Sequence, residues 1–316
     1  MGRISVRAEP LGGGLEADAV HLVRASARDA NDRLVERTYV RKVARGVWTR
    51  EVEVYRQVLH RHGANLAPRL LAVERPARAT IVLCLEAVEP HHRWPWSNVE
   101  SSAAVLERIA ALHALREVQH VLPSWDYEAE LAGSATATAA FVRRLAMQRA
   151  TAHLVRDALP AVELLASELP RIRRELLASP LFGESIIHGD LHPGNVVERE
   201  HTEPVLLDWA RTRVGSPLED VSSWLQSLAY WEPEARRRHD TLFVRYLAAR
   251  GHAARLTGEI RDLYWLAAAS NALSGALIYH LAVAADDRRD SSLAERSSRY
   301  ARDWIRILRR ARATLR

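Results

Sequence analysis

Short apolar runs separated by loops of fixed length leave a chain few conformational choices, and residues 185–209 form the tightest such constraint in this sequence. Ile186-Ile187, Val196-Val197 and Val205-Leu206-Leu207 read as short buried strands, the last two joined by a polar turn that ends in Pro204. Around them lie His188-Gly189-Asp190-Leu191-His192-Pro193-Gly194-Asn195 and Asp208-Trp209. Three acceptor-bearing side chains, Asp190, Asn195 and Asp208, therefore stand at successive offsets of five and thirteen residues. Singly, each is an ordinary turn residue. Jointly, they have the layout that phosphoryl transfer needs. One carboxylate receives the proton of an acceptor hydroxyl, while an amide and a second carboxylate hold Mg²⁺ against nucleotide phosphates.

A second feature agrees from a different direction. Lys42 is the only lysine among the 45 Lys and Arg residues. A chain that uses arginine almost everywhere keeps a compact ammonium at one place, and a broad guanidinium fork is no substitute for a point charge in a tight phosphate cleft.

The composition sets the frame. At 316 residues, with 48% hydrophobic residues and nine Trp, the chain can bury a sizeable core. Its one cysteine, Cys84, sits in an apolar run and forms no internal disulfide; it is expected to be a core residue rather than a nucleophile. Met1 to Arg7 has no apolar stretch of the signal-peptide kind, so a cytoplasmic location is expected. Leu263 to Ala285 is 23 residues without a formal charge, nominally enough to span a bilayer. Ser270, Asn271, Ser274 and His280 within it favour a buried helix, so no membrane partner is expected. Net charge is +6, but the arginines are spread through acid-interleaved helices such as Glu234 to Asp240, and no Arg/aromatic motif for stacking bases stands out. Nucleic acid is therefore not an expected partner.

The first ninety or so residues read as β-rich. Gly12-Gly13-Gly14 precedes a strand at Ala19 to Ala25, and Thr38 to Val43 alternates as a strand that carries Lys42. A helix is expected over Thr49 to His62, a loop over Ala64 to Ala72, and a buried strand over Thr80 to Leu85. Pro90 to Trp96 marks the expected boundary between an N-terminal domain, residues 1–89, and a mainly helical one, residues 90–316. Helices are expected over Ser102–Leu115, within Ala135–Asp157, and over Ala161–Leu177, Val221–Tyr230, Ile260–Ala285 and Leu293–Leu315.

The segment His188 to Asp220 resembles the aminoglycoside phosphotransferase and choline kinase family, the small-molecule branch of the protein-kinase-like fold. The matching pieces are residues 188–195, Leu206-Leu207-Asp208-Trp209 and Gly215-Ser216-Pro217-Leu218-Glu219-Asp220. Arg50-Glu51-Val52-Glu53 and Ile109 to Ala114 agree upstream. The resemblance implies an α+β, bilobal fold, with a small β-sheet lobe for the nucleotide and a larger helical lobe for catalysis and the acceptor. It implies an ATP- and Mg²⁺-dependent transfer to a hydroxyl of a small molecule, with GTP open as an alternative donor. Asp190 would accept or orient the hydroxyl, Asn195 and Asp208 would hold Mg²⁺, and His188 would hold the loop by hydrogen bonds. Lys42 would contact the α- and β-phosphates. Its glutamate partner is either Glu51 or Glu53. Glu51 shares a helix face with Val47, Trp48, Tyr55 and Val58, which are expected to pack inward, so it is the one expected to meet the lysine. Gly12, Gly13 and Gly14 would approach the phosphates, or simply form a hairpin turn. Backbone groups of Glu86 and Val88 would pair with the adenine edge, and Asp220 would brace the catalytic loop.

Gly189 occupies the place where protein kinases carry an arginine, Ala210 replaces the usual glycine, and only eleven residues separate Asp208 from Asp220. These departures imply a small acceptor rather than a peptide. Its identity stays open among aminoglycosides, sugars, nucleosides and amino alcohols. Asp286, Asp287 and Asp290, or Glu232 and Glu234, are candidate acids for a cationic acceptor. Trp209, Trp231 and Trp265 are either core or stacking surfaces. A nucleotide-binding regulator without catalysis is a further reading, and the oligomeric state is not legible.

Overall fold

The alternating segment around Lys42 forms the centre of a five-stranded antiparallel sheet in the computed structural model, which describes residues 4–11, 19–29, 31–63, 65–88, 98–115, 122, 124–149, 151–199, 203–253, 255–286 and 291–315. Its strands are β1 (Ser5–Pro10), β2 (Ala19–Arg28), β3 (Leu34–Arg45), β4 (Leu70–Ala77) and β5 (Thr80–Glu86), in the order β1-β2-β3-β5-β4. The register sets Val20 opposite Lys42 on β2, and Leu22 and Leu85 opposite Val40 on β2 and β5. Opposed residues on antiparallel strands share a face. One face of the sheet thus presents a small apolar roof with a single ammonium in it.

Two strands of this sheet were not legible in the sequence. β1 is exposed along its whole length. The stretch expected as a loop over 64–72 runs into β4, an edge strand that is mostly exposed and contains Pro76. Neither has a buried face to impose alternation, and proline is tolerated at such an edge.

Residues 46–62 form one helical run of varying pitch, with a 3₁₀ turn at Gly46–Arg50, α1 (Glu51–Val54), a π turn at Tyr55–Leu59 and α2 (His60–His62). Val52, Val54, Tyr55, Val58 and Leu59 bury its inner side, whereas Val47, expected on that side, is exposed because it lies in the 3₁₀ turn ahead of α1.

The remainder is helical: α3 (Val99–His113), α4 (Tyr127–Met147), α5 (Ala152–Val155), α6 (Leu159–Leu177), α7 (Pro217–Trp231), α8 (His239–Ala249), α9 (Gly258–Asn271), α10 (Leu277–Ala284) and α11 (Ser291–Thr314). Helix α8 had no expectation in the sequence reading. Two small antiparallel pairs interrupt the helices, β6 (Ser185–Ile187) with β9 (Arg213–Gly215) and β7 (Val196–Arg199) with β8 (Glu203–Leu206). Pro204 lies inside β8 rather than ending the turn. The expected domain boundary at 89/90 lies outside the described residues; the five-stranded sheet ends at Glu86 and the helices of the second lobe begin at Val99. The fold is α+β and bilobal.

Helix α7 starts where its sequence dictates. Ser216 and Glu219 form a reciprocal capping box, with Pro217 at the first helical position. Gly258–Ala284 is long and apolar enough to cross a membrane, but 61% of its most apolar window is buried, against α7 and α11 among others. The core joins both lobes. Trp224 of α7 is fully buried, and its indole N–H donates to Ser102 O at 3.2 Å, tying α7 to α3. Trp224→Ala is expected to cost about 3–5 kcal/mol of unfolding free energy, read as a lower urea midpoint.

Candidate active site

Lys42 is buried on β3, and its ammonium meets two carboxylates, Glu51 Oε2 at 2.7 Å and Asp208 Oδ1 at 2.8 Å. Glu51 follows Lys42 closely in the chain, but Asp208 joins them from 166 residues beyond Lys42. Glu51 is fully buried at the start of α1, and its Oε1 accepts the Trp209 N–H at 3.2 Å. Glu53, the alternative partner, lies on the surface near Arg56 and Arg75. Burial alone would lower the Lys42 pKa, but the two carboxylates outweigh it and hold the ammonium charged. Burial raises the Glu51 carboxyl, opposed by Lys42, while at Asp208 the attraction of Lys42 overcomes burial and keeps the carboxyl low.

Asp208 itself adopts a left-handed backbone conformation, φ +59°, which aspartate tolerates better than most residues. The chain then makes a short 3₁₀ turn, Trp209–Arg211. Arg50 donates to the carbonyls of Ala210 at 2.8 Å and Thr212 at 2.6 Å, and Arg211 pairs with Glu130 of α4 at 2.9 Å. The segment behind Asp208 is thus pinned to the helix 46–62 and to α4.

The loop between β6 and β7 is fixed from beneath by Asp220 of α7. Its Oδ2 accepts the His188 N–H at 2.7 Å and its Oδ1 accepts the Gly189 N–H at 2.9 Å. His113 Nε2 lies 3.1 Å from the same carboxylate, with its Nδ1 2.8 Å from the Tyr246 hydroxyl. A carboxylate only accepts, so His113 donates from Nε2 and receives the tyrosine proton at Nδ1. Burial keeps His113 and His188 neutral, lowering both pKa values. The backbone N–H of Asp190 donates to His188 Nδ1 at 3.3 Å, so the ring proton sits on Nε2 and is donated to Leu207 O at 2.9 Å. His188 clamps the loop to the strand end that carries Asp208. Gly189 has φ +82°, and a Cβ there would collide with the Arg211 carbonyl. This geometry excludes an arginine at position 189 as firmly as it requires glycine.

Asp190 lines the cleft and is about one-third exposed. Asn195 Nδ2 donates to Asp190 O at 2.9 Å and to Asp190 Oδ2 at 3.1 Å. The amide nitrogen is thereby committed, which leaves the side-chain carbonyl oxygen of Asn195 as its donor atom toward a cation. No group of three or more His, Cys, Asp or Glu side chains able to hold a metal alone occurs among the described residues.

These groups share one cleft of about 1140 Å³. Val20, Leu22, Val40 and Leu85 above, with Val197 and Leu207 below, line one end; Lys42, Glu51, Asp190, Asn195 and Asp208 line the middle. Glu86 and Val88 border the apolar end. The Glu86 N–H is committed to Arg69 O at 2.9 Å, so any pairing with a base edge there falls to its carbonyl oxygen. Gly12, Gly13 and Gly14 lie outside the described residues. The far end is lined by Tyr127, Ser223, Ser227, Tyr230, Trp231, Asn271, Tyr279, His280 and Tyr300. Apart from Trp231, Asn271 and His280, none of these stood out in the sequence. Trp209 is core, its indole N–H donating to Leu206 O at 2.9 Å, and Trp265 packs against the core. Glu232, Glu234 and Asp286 do not line the cleft, and Asp287 and Asp290 lie outside the described residues. Cys84 is buried, and burial pushes its thiol up, away from nucleophilic character.

The profile of the phosphotransferase enzyme family matches residues 7–263. No curated protein gives a significant sequence match. Among solved structures, a choline kinase from Cryptosporidium parvum superposes with a TM-score of 0.60 at 15% identity, covering 98% of this chain and 90% of its own. An aminoglycoside phosphotransferase from Alicyclobacillus acidocaldarius gives 0.57 at 13% identity, covering 97% and 91%. A spectinomycin phosphotransferase, solved with ADP and spectinomycin, gives 0.56 at 14% identity, covering 98% and 93%. At these identities the likeness is one of fold, and all three share the bilobal architecture.

Burial raises the Asp220 carboxyl, but His113, His188 and the Gly189 N–H prevail and leave it below its ordinary value. A depressed folded pKa contributes stability above the unfolded value, about 3.9, and loses it as pH falls through the folded value. Asp220→Asn is expected to lose about 2–3 kcal/mol at pH 7. That deficit relative to the parent should shrink as urea unfolding is repeated from pH 5 down to pH 3.

Proposed function

The chain belongs to the phosphotransferase enzyme family, and on that premise we propose that it is an ATP- and Mg²⁺-dependent kinase that moves the γ-phosphate to a hydroxyl of a small molecule. The observation that carries this reading is the meeting of Lys42, Glu51, Asp190, Asn195 and Asp208 in one cleft with an apolar slot at its end. ADP and spectinomycin in the spectinomycin phosphotransferase, and ADP and hygromycin B in an aminoglycoside phosphotransferase of similar fold, support a nucleotide donor and a small acceptor.

In this reading the sheet lobe, to residue 89, takes the nucleotide and the helical lobe supplies the catalytic loop and the acceptor wall. The base enters between the roof of Val20, Leu22, Val40 and Leu85 and the floor of Val197 and Leu207. The Glu86 carbonyl accepts from the adenine amino group, and the Val88 N–H donates to the ring. A guanine would offer the opposite pattern at that edge, so ATP is the better-matched donor. Lys42, held by Glu51, offers its remaining proton to the phosphates.

Asp208 and the Asn195 carbonyl oxygen are hard oxygen donors that suit Mg²⁺, whose shell is completed by water and phosphate oxygens rather than by a full protein cage. When bound, the ion neutralises charge on the phosphates. Asp190, positioned by the Asn195 amide, orients the acceptor hydroxyl and takes its proton. His188 and Asp220 position that loop without touching the reacting atoms. With eleven residues between Asp208 and Asp220, there is no platform for a peptide acceptor. The buried thiol of Cys84 is in keeping with a reducing, cytoplasmic setting.

Asp190→Ala is expected to reduce ADP-coupled transfer by roughly 10²–10⁴-fold while calorimetric binding of Mg·ATP persists. Near-normal turnover in that variant rejects the assignment. Lys42→Arg keeps the charge but not its compact shape, and kcat/KM is expected to fall by about a hundredfold. Parent-like kinetics there would remove the lysine from the phosphate site.

A further inference from the structure

The far end of the cleft is an aromatic wall, and its chemistry points to a class of acceptor. Tyr230, Tyr279 and Tyr300 surround His280 with ring centroids 5.3, 5.0 and 4.5 Å from the imidazole. Tyr230 and Tyr300 also face each other at 4.9 Å, and Trp231 abuts Tyr230 at 5.3 Å. The wall is assembled by α7, α10 and α11, three helices brought together by the fold and not by any local motif. Between α9 and α10 the helix opens into a π turn, Ala272–Ala276, with Gly275 at φ +139°. A Cβ at Gly275 would meet nothing within 4 Å, so the turn widens the cleft beside the aromatic wall.

The charges around this wall are the wrong kind for a cationic ligand. Among the described residues that line the far end, none carries a carboxylate. The guanidinium of Arg296 sits 5.5 Å over the Tyr230 ring, so a ligand cation at this wall would meet like charge, which an uncharged ring would not. Asp303, near Tyr300 on α11, is paired with Arg236. Burial lowers the His280 pKa to about 4, so the ring is neutral at pH 7, and its Nδ1 is buried with no hydrogen-bond partner. A buried, unpaired polar atom on a cleft wall is costly in the empty state and is a natural contact for a bound polar group.

We propose that the acceptor is an uncharged hydroxyl compound bearing a flat ring, which stacks on the wall of Tyr230, Tyr279 and Tyr300, rather than a polycation or a quaternary amine. The inference rests on the phosphotransferase reading of the same cleft. It assigns specificity to the tyrosine wall and leaves the chemistry to Asp190, Asn195 and Asp208. Ring faces supply contact area to any planar group without demanding charge, which is the recognition a sugar–aglycone or sugar–base compound needs.

The test uses the full chain with two uncharged probes, uridine and phenyl β-glucoside, and two cationic ones, choline and kanamycin. Uptake is read by calorimetry without nucleotide, and transfer by ADP release with Mg·ATP. An uncharged probe is expected to bind and to be phosphorylated in preference to both cations. Tyr279 is half exposed, so truncating it spares the core. Tyr279→Ala is expected to raise the acceptor KM roughly tenfold with the KM for ATP unchanged, and Tyr279→Phe to restore it. Tighter uptake of choline or kanamycin overturns the inference while the transfer reading stands. So does failure of both uncharged probes to bind. Uptake of an uncharged probe without ADP release keeps the pocket chemistry and rejects the transfer reading instead.

Discussion

A buried ammonium held between two carboxylates is the constraint on which the rest of the site depends. Lys42 comes from the sheet, Glu51 from the helix beside it, and Asp208 from the far side of the cleft, and each needs the other two. Removing the lysine would leave two acids facing each other in a poorly solvated space, and removing either acid would strand a charge. The arrangement therefore sets the distance between the lobes as well as holding a charge. Glu86 and Arg199, paired at 3.0 Å between β5 and β7, and the Leu206 N–H donating to Leu66 O at 2.8 Å, close the same gap at its edge.

Beneath the cleft, a second polar cluster uses neutral groups where the first uses charged ones. Backbone N–H groups and His113 satisfy the Asp220 carboxylate. The histidines stay neutral because burial disfavours their protonation, so each can both donate and accept. A rigid loop follows from this, with Asp190 on its exposed side. The acid that meets solvent is positioned by acids and imidazoles that do not.

Much of this was readable in the sequence because it is local. The offsets among Asp190, Asn195 and Asp208 survive into space because short strands on either side leave the loops no slack. The choice of Glu51 over Glu53 followed from which helix face carries Tyr55 and Val58, and the fold buries that face. What was not readable lacks a pattern. β1 and β4 are exposed edges with no buried face, and β9 has only three residues. The aromatic wall is assembled from Tyr230, Tyr279, His280 and Tyr300, which adjoin one another only after α7, α10 and α11 have packed. In the chain only Trp231, beside Tyr230, and His280, a polar residue in an apolar run, stood out. Trp209, by contrast, stood beside Asp208 in the sequence and proved to be core, since its backbone serves Glu51 and its indole serves Leu206.

The solitary lysine has one more consequence, at the surface. With every other basic long side chain a guanidinium and Lys42 almost wholly enclosed, the folded chain exposes no side-chain amine. Reagents and enzymes that acylate, methylate or conjugate lysine find a target only when the two lobes part. Covalent marking of that one side chain would therefore report the opening of the cleft, against a background that no other lysine can supply.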